Sequence, residues 1–173
     1  TDDFAHYKSM YWTGIFGDQS LLLDSNMFSY GDIVLHPNLT LVRNTEGSSI
    51  TFYEQAELYP NAATIDCSFN VFMTDPTDSM LIMNDLLASD SSAIVLLNGE
   101  VYTLDNTVSL GTIVSINNPF IGSDVRKIDF GNSIIELKVA FDAAQDTVLT
   151  FLSGNSHLFI GDTLGYANDL LSL

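Results

Sequence analysis

The chain has 173 residues, of which 22 are acidic and five are basic, so its net charge at pH 7 is −17. Such a chain is a poor ligand for nucleic-acid phosphates and anionic membrane surfaces, because both require clustered Lys and Arg. The length and apolar content fit one domain over residues 1–173. No apolar run approaches the about 18 residues of a membrane helix. The chain begins at Thr1, so the removal of a leader, an initiator Met or a larger parent chain stays open.

Strand signals recur from residue 33 onward, whereas residues 1–31 are the least readable and are expected to form a loosely packed N-terminal segment. Short apolar or alternating runs between turn formers predict strands. The first five lie at Ile33–Leu35, Leu39–Arg43, Ser49–Tyr53, Glu54–Tyr59 and Ile65–Met73. In the last of these, the alternation places Cys67 on the apolar face. The single cysteine is therefore predicted to be a core residue rather than a reactive thiol.

The middle of the chain contains the clearest turn signal. Met80–Ala88 is compatible either with a short helix or with a strand and a loop. In the following segment, Asn98-Gly99 favours the two positive φ values of a type I′ turn. The sequence therefore predicts a two-residue hairpin in which Val95 faces Tyr102. Another strand is predicted at Val108–Ile116.

The segment from Ile134 to Asp162 alternates three short apolar runs with two polar turns, at residues 142–146 and 153–156. This pattern predicts a three-stranded antiparallel meander. About ten short strands, hardly any helix and no visible repeat predict an all-β fold, either a two-sheet sandwich or a barrel. The alternating apolar faces favour the antiparallel two-sheet β-sandwich, with one buried face per sheet.

Several stretches from about Ile50 to the end resemble the laminin-G/concanavalin-A-like jelly roll. They are SITFYEQAELYP, ATIDCSFNVFMTD, LLASDSSAIVLLNGEVYTL, IIELKVAFDAAQDTVLTFLSGN and HLFIGDTLGYANDLLSL. The resemblance implies a jelly-roll β-sandwich. It also implies recognition of carbohydrate or of another surface, in some members with calcium held in the edge loops.

No catalytic constellation is visible in the sequence. Hydrolases of this fold class place three acidic side chains on one face of a strand with the spacing Glu-x-Asp-x-Glu, which is absent here. Glu54 and Glu57 would point to opposite faces of a strand. His6, His36 and His157 lie in unrelated contexts. We therefore assign no catalytic residue and expect that the protein is not an enzyme.

Two sets of side chains are candidate ligand-binding residues. The first set could hold calcium and comprises Asp75, Asp78, Asp85 and Asp90. The alternative, that each is a turn former which accepts local hydrogen bonds, is favoured, so no metal and no cofactor is assigned. The second set could pack against sugar rings and comprises Trp12, Tyr53, Tyr59 and Tyr102. Core packing is the alternative for these aromatics, so the ligand-binding residues stay unknown.

The expected function is that of a non-catalytic recognition or adhesion module that binds a glycan or a protein surface. Its expected location is extracellular or on a virion, as part of a secreted protein, a cell surface or a virion appendage. The alternative is a structural virion or filament subunit that works through protein–protein contacts, as a homo-oligomer or with other structural chains. No nucleic acid and no membrane is expected as a partner. A polysaccharide-active enzyme without the usual signature is the third interpretation.

Overall fold

Every strand pairing in the described part of the chain is parallel. The structure, a computed structural model, describes residues 5–12, 17–45, 47–117, 125–143, 146, 148–161 and 170–172. The chain winds through three columns of strands in turn, and each circuit, here called a coil, stacks on the previous one. The protein is therefore a β-solenoid.

The first four coils each contribute one strand to each column. Coil 1 contains β1 (Ala5–Tyr7), β2 (Met10–Tyr11) and β3 (Gln19–Leu23). Coil 2 contains β4 (Met27–Ser29), β5 (Ile33–Val34) and β6 (Leu39–Arg43). Coil 3 contains β7 (Ser49–Phe52), β8 (Ala56–Tyr59) and β9 (Thr64–Asp66), and coil 4 contains β10 (Ser68–Phe72), β11 (Ser79–Ile82) and β12 (Leu86–Leu87).

In the later coils some strands continue around a corner from one column into the next. β13 (Ala93–Tyr102) lies in the first and second columns of coil 5. β14 (Thr107–Ser115) completes coil 5 and begins coil 6, which continues with β15 (Arg126–Asp129). β16 (Ile134–Asp142) completes coil 6 and begins coil 7. β17 (Leu149–Leu152) and β18 (His157–Ile160) complete coil 7, and β19 (Leu170–Ser172) extends the first column.

The core lies inside the coils and is built from side chains stacked in register. In the first column, Ile50 pairs with Phe69, Phe69 with Ile94, and Ile94 with Ile113. All four are at most 2% exposed. Neighbouring strands lie about 4.8 Å apart, so identical positions of successive coils are in van der Waals contact. Burial of these ladders stabilises the stack, because one coil alone cannot cover its apolar side.

The predicted antiparallel sandwich and the jelly-roll resemblance are wrong. Antiparallel sheets commonly bury one face, whereas parallel sheets usually bury both, so alternating strands are more typical of an antiparallel fold. A solenoid is parallel and nevertheless exposes the outer face of each column, which gives the same alternation. The predicted antiparallel meander is also wrong. β17 pairs with β15, and β18 pairs with β16, in both cases in parallel and between successive coils.

The predicted hairpin at Asn98-Gly99 is also wrong. β13 passes through both residues, and Gly99 turns the chain from the first column into the second with a φ of 101°. Val95 pairs with Asn70 and Val114 of the adjacent coils rather than with Tyr102. The positive φ was correctly associated with Gly99, but it produces a corner of a coil instead of a reversal of direction.

The predicted burial of Cys67 is confirmed. Its side chain is 0% exposed, and the alternating neighbours Ile65, Phe69, Val71 and Met73 are also buried. Burial raises the pKa of the Cys67 thiol to about 12, because the apolar surroundings disfavour the thiolate. The alternation continues unbroken around the corner between β9 and β10, and this is why the sequence pattern could identify the core face there.

A buried ion pair ties coils 5, 6 and 7 together. The guanidinium of Arg126 donates to both carboxylate oxygens of Asp146, with Nε–Oδ2 and Nη2–Oδ1 distances of 2.5 and 2.9 Å. Both side chains are 0% exposed. Nη1 of Arg126 also donates to the backbone oxygen of Leu97, and the Ser115 hydroxyl donates to Asp146. The pair is thus satisfied by partners from three successive coils.

Candidate functional site

The corner between the second and third columns has a recurrent left-handed backbone. Its positive-φ residues are Asn61 (50°), Ala62 (60°), Leu104 (51°), Asp105 (64°), Gly131 (54°) and Gly154 (54°). Asn, Asp and Gly tolerate this conformation better than other residues. Four of these six residues are of these types. The same corner also carries an asparagine in each of coils 3 to 7, and it is here called the amide corner.

An open groove of about 420 Å³ lies at the amide corner of coils 3 to 5. It is lined by Asn61, Ala62, Asn84, Asp85, Leu87 and Asn106. Three of the six residues carry a side-chain amide and one carries a carboxylate, while Leu87 is 52% exposed and supplies an apolar wall. The volume is within the range of small-molecule sites, which combine apolar surface with a few oriented polar groups.

Two asparagines at this groove hold each other in place. The Nδ2 of Asn84 donates to Oδ1 of Asn61 at 2.7 Å, and the backbone N–H of Asn61 donates to Oδ1 of Asn84 at 2.9 Å. The Nδ2 of Asn61 also donates to the backbone oxygen of Leu35 at 2.9 Å. These bonds link coils 2, 3 and 4, so the amide groups are fixed before any ligand arrives. Such fixed groups reduce the entropy that binding would cost.

The groove also presents two hydrogen-bond acceptors, one on Asn106 and one on Asp85. Nδ2 of Asn106 donates to the backbone oxygens of Ile82 and Thr103, at 2.7 and 3.0 Å. Oδ1 of Asp85 accepts from the backbone N–H of Thr107 at 2.8 Å. Within the described part of the chain, no group donates to Oδ1 of Asn106 or to Oδ2 of Asp85. These two oxygens can therefore accept hydrogen bonds from a ligand.

Two of the four aromatic residues considered from the sequence use their ring faces inside the protein. Tyr53 stacks on Tyr30, with ring centroids 5.4 Å apart and an angle of 16° between the planes. The ammonium of Lys127 lies over the ring of Tyr102, 4.5 Å from its centroid. One face of each ring is therefore covered and is not open to a sugar ring.

The other two aromatic residues, Trp12 and Tyr59, lie in different coils. Trp12 is partly buried and packs against the core in coil 1. Tyr59 ends the second-column strand of coil 3, and its hydroxyl donates to Glu57 at 2.6 Å. Tyr59 lies two residues before Asn61 in the sequence.

The four aspartates considered for calcium are distributed over three separate corners. Asp75 accepts hydrogen bonds from the backbone N–H and the hydroxyl of Thr77, at 2.9 and 2.8 Å. These bonds hold the pKa of Asp75 below its usual value. Asp78 follows in the same turn. Asp85 and Asp90 flank β12, and of these only Asp85 lines the groove. Among the described residues, no group of three or more His, Cys, Asp or Glu side chains is placed to hold a metal ion.

A recurrent asparagine in the sequence marks the amide corner. Asn61, Asn84, Asn106, Asn132 and Asn155 recur at intervals of 22 to 26 residues, once in each of coils 3 to 7. Asn155 donates to Oδ1 of Asn132 at 3.2 Å, which repeats the contact between amides of neighbouring coils. An interval in this range, marked each time by the same turn residue, is typical of a solenoid repeat.

Comparison with known family models, with curated proteins and with solved structures finds no match. The described chain contains no helix that is long and apolar enough to cross a membrane.

Proposed function

We propose that this protein is a non-catalytic recognition module that binds a glycan in the groove of the amide corner. The observation that carries the proposal is the open groove itself, which is lined by fixed amides and by two open acceptors. Sugars present several hydroxyl groups at short intervals, and planar amide and carboxylate groups bind them by paired hydrogen bonds. The exposed side chain of Leu87 can pack against the apolar face of the ring.

The proposal of a non-catalytic role is supported by the residues that line the groove. Hydrolysis of a glycosidic bond canonically uses two carboxyl groups, one on each side of the scissile bond. Among the described lining residues only Asp85 has a carboxyl group. The net charge of −17 favours partners other than nucleic acid and anionic membranes. We place the module outside the cell or on a virion, where it would meet glycans.

A glycan array followed by calorimetric titration tests this function. Leu87→Trp should fill the groove and abolish binding of the glycan identified on the array. Leu22→Trp is the matched control, because Leu22 is also a leucine of the third column, is 55% exposed and lies outside the groove. Binding should survive in this control. Absence of binding to any glycan would refute the recognition role, and full binding by Leu87→Trp would refute the assignment of the groove.

The second candidate function is a structural subunit of a virion or filament. It is favoured by the distribution of exposed large apolar side chains, which are concentrated in coil 1 and in coils 6 and 7 and absent from the described residues of coils 2 and 3. They include Tyr11 and Leu22 at one end of the stack and Leu152 and Phe159 at the other. Light scattering during size-exclusion chromatography tests it: assembly that Phe159→Ser weakens would support this role, and a monomer at all concentrations would exclude self-assembly.

A further inference from the structure

The groove offers more acceptors than donors to a ligand, and this restricts the chemistry of the glycan. Both amide hydrogens of Asn106 are already donated to the backbone oxygens of Ile82 and Thr103. Asn61 and Asn84 each donate one amide hydrogen within the protein. The groove therefore retains one amide hydrogen on each of these two residues, against two open oxygens, Oδ1 of Asn106 and Oδ2 of Asp85, each of which has two lone pairs that can accept.

The charge around the groove is negative. Among the described residues that line it, Asp85 is the only charged one. The next coil places Asp105 at the same corner, where it accepts from the backbone N–H of Asn132 at 2.7 Å. Lys127 and Lys138 are each paired with a glutamate elsewhere on the surface. A ligand carboxylate or sulfate would thus meet repulsion, whereas a cation would be attracted.

We propose that the groove prefers saccharides with a free, protonated amine, which donates to Oδ2 of Asp85, and that it disfavours acidic saccharides. A protonated amine supplies three hydrogens and a positive charge, and it thereby satisfies the acceptor excess and the charge at the same time. This inference rests on the proposed function, since it specifies the class of glycan that the same groove binds. For a partly exposed pair the preference over a neutral sugar should be about 1.5- to fivefold.

The test uses oligomers of glucosamine, N-acetylglucosamine and galacturonate of equal length, titrated into the protein at a pH where the amine is protonated. The wild type should bind the glucosamine oligomer most tightly and the galacturonate oligomer most weakly. Asp85→Asn should remove the advantage of glucosamine over N-acetylglucosamine. The variant keeps an oxygen that can accept from the N–H of Thr107, so its melting temperature should stay close to that of the wild type.

Asp105→Asn is the matched control. It makes the same change of charge at the next coil, outside the groove lining, and also keeps the oxygen that accepts from a backbone N–H. The glucosamine preference should persist in this variant. The inference is overturned if the preference is absent in the wild type, survives in Asp85→Asn or is lost equally in both variants. In each of these cases binding of the neutral oligomer would leave the recognition role intact, whereas failure of all three oligomers to bind would refute both.

Discussion

Gly99 combines two constraints that can be separated by experiment. Its φ of 101° is unfavourable for any residue with a side chain. In addition, a Cβ on Gly99 would lie 2.4 Å from Cγ of Met73 and 2.9 Å from the backbone oxygen of Asp78. Met73 is 1% exposed and cannot move toward solvent without opening the core. The conformational constraint costs about 1–3 kcal/mol, and overpacking costs about 1–3 kcal/mol more.

Gly99→Ala should therefore lower the free energy of unfolding by about 4 kcal/mol. For a domain of this length, that loss corresponds to a fall in melting temperature of about 8–16 °C. Two other glycines isolate the components. Gly47 has a φ of 89° and nothing within 4 Å of its added Cβ, so Gly47→Ala should incur only the conformational cost. Gly111 has no positive φ, but its Cβ would lie 2.0 Å from the backbone oxygen of Asp90, so Gly111→Ala should incur only the steric cost.

Urea unfolding followed by circular dichroism measures the three losses on one scale. The three losses can be compared where the slope of the unfolding free energy against urea concentration is the same in all variants. A changed slope would indicate a change in the denatured state or separate unfolding of individual coils. The loss in Gly99→Ala should exceed that in Gly47→Ala. If the two losses are equal, the close approach of Met73 and Asp78 to the corner is refuted. A loss near zero in both variants would refute the argument from backbone conformation as well.

The buried groups give two further measurable outcomes. Cys67 should resist thiol reagents in the native protein and react after denaturation, because burial raises its pKa to about 12; rapid native labelling would place it outside the core. Arg126→Met should cost about 3–5 kcal/mol, because it leaves the Asp146 carboxylate buried without its partner, whereas Lys138→Met in the exposed pair with Glu136 should cost less than about 1 kcal/mol. Equal losses, measured by urea unfolding, would contradict the burial of the first pair.

The acid dependence of stability follows from the same carboxylate. Burial raises the pKa of Asp146, but hydrogen bonds from Arg126, Ser115 and Val148 outweigh this effect and leave it below its ordinary value. The stabilisation is therefore complete above the unfolded pKa of ~3.9 and is lost as the pH falls through the folded value. Asp146→Asn should lose less stability than the wild type over that interval of an acid titration. If the wild type and Asp146→Asn lose the same stability over this pH interval, ionisation of the carboxylate is not linked to folding.

The positions of several strands after residue 33 could be predicted from the sequence, but their direction could not. The strands β1 to β4 and β15 were not predicted. Leu39–Arg43 was predicted with the bounds that β6 has in the structure, because alternation and turn residues are local signals. The pairing partner of a strand is not a local property. Leu41 pairs with residues of coils 1 and 3, and nothing in its own segment distinguishes a parallel from an antiparallel neighbour. The resemblance of short stretches to a jelly roll followed from the same local patterns.

The groove was not predictable for a related reason. Its lining comes from coils 3, 4 and 5, and the relation between Asn61, Asn84 and Asn106 depends on the stacking of those coils. The sequence indicates a turn at Asp85, but it does not show which residues of the other coils lie beside this carboxylate. The recurrence of asparagine was the signal that could have identified the coil length. Unequal coil lengths, with an interval of 26 residues between Asn106 and Asn132, make that periodicity hard to detect.

The link between Arg126 and Asp146 has a consequence for the mechanics of the stack. In a solenoid each coil contacts only its neighbours, so a force along the axis should detach coils one at a time, each with a small yield force. The Arg126 side chain lies in coil 6 and donates hydrogen bonds both to Leu97 in coil 5 and to Asp146 beyond the start of coil 7, so it reinforces the contacts of coil 6 with both neighbours. Under such a force, coils 5 to 7 should unfold together, whereas the coils before them should unfold one at a time.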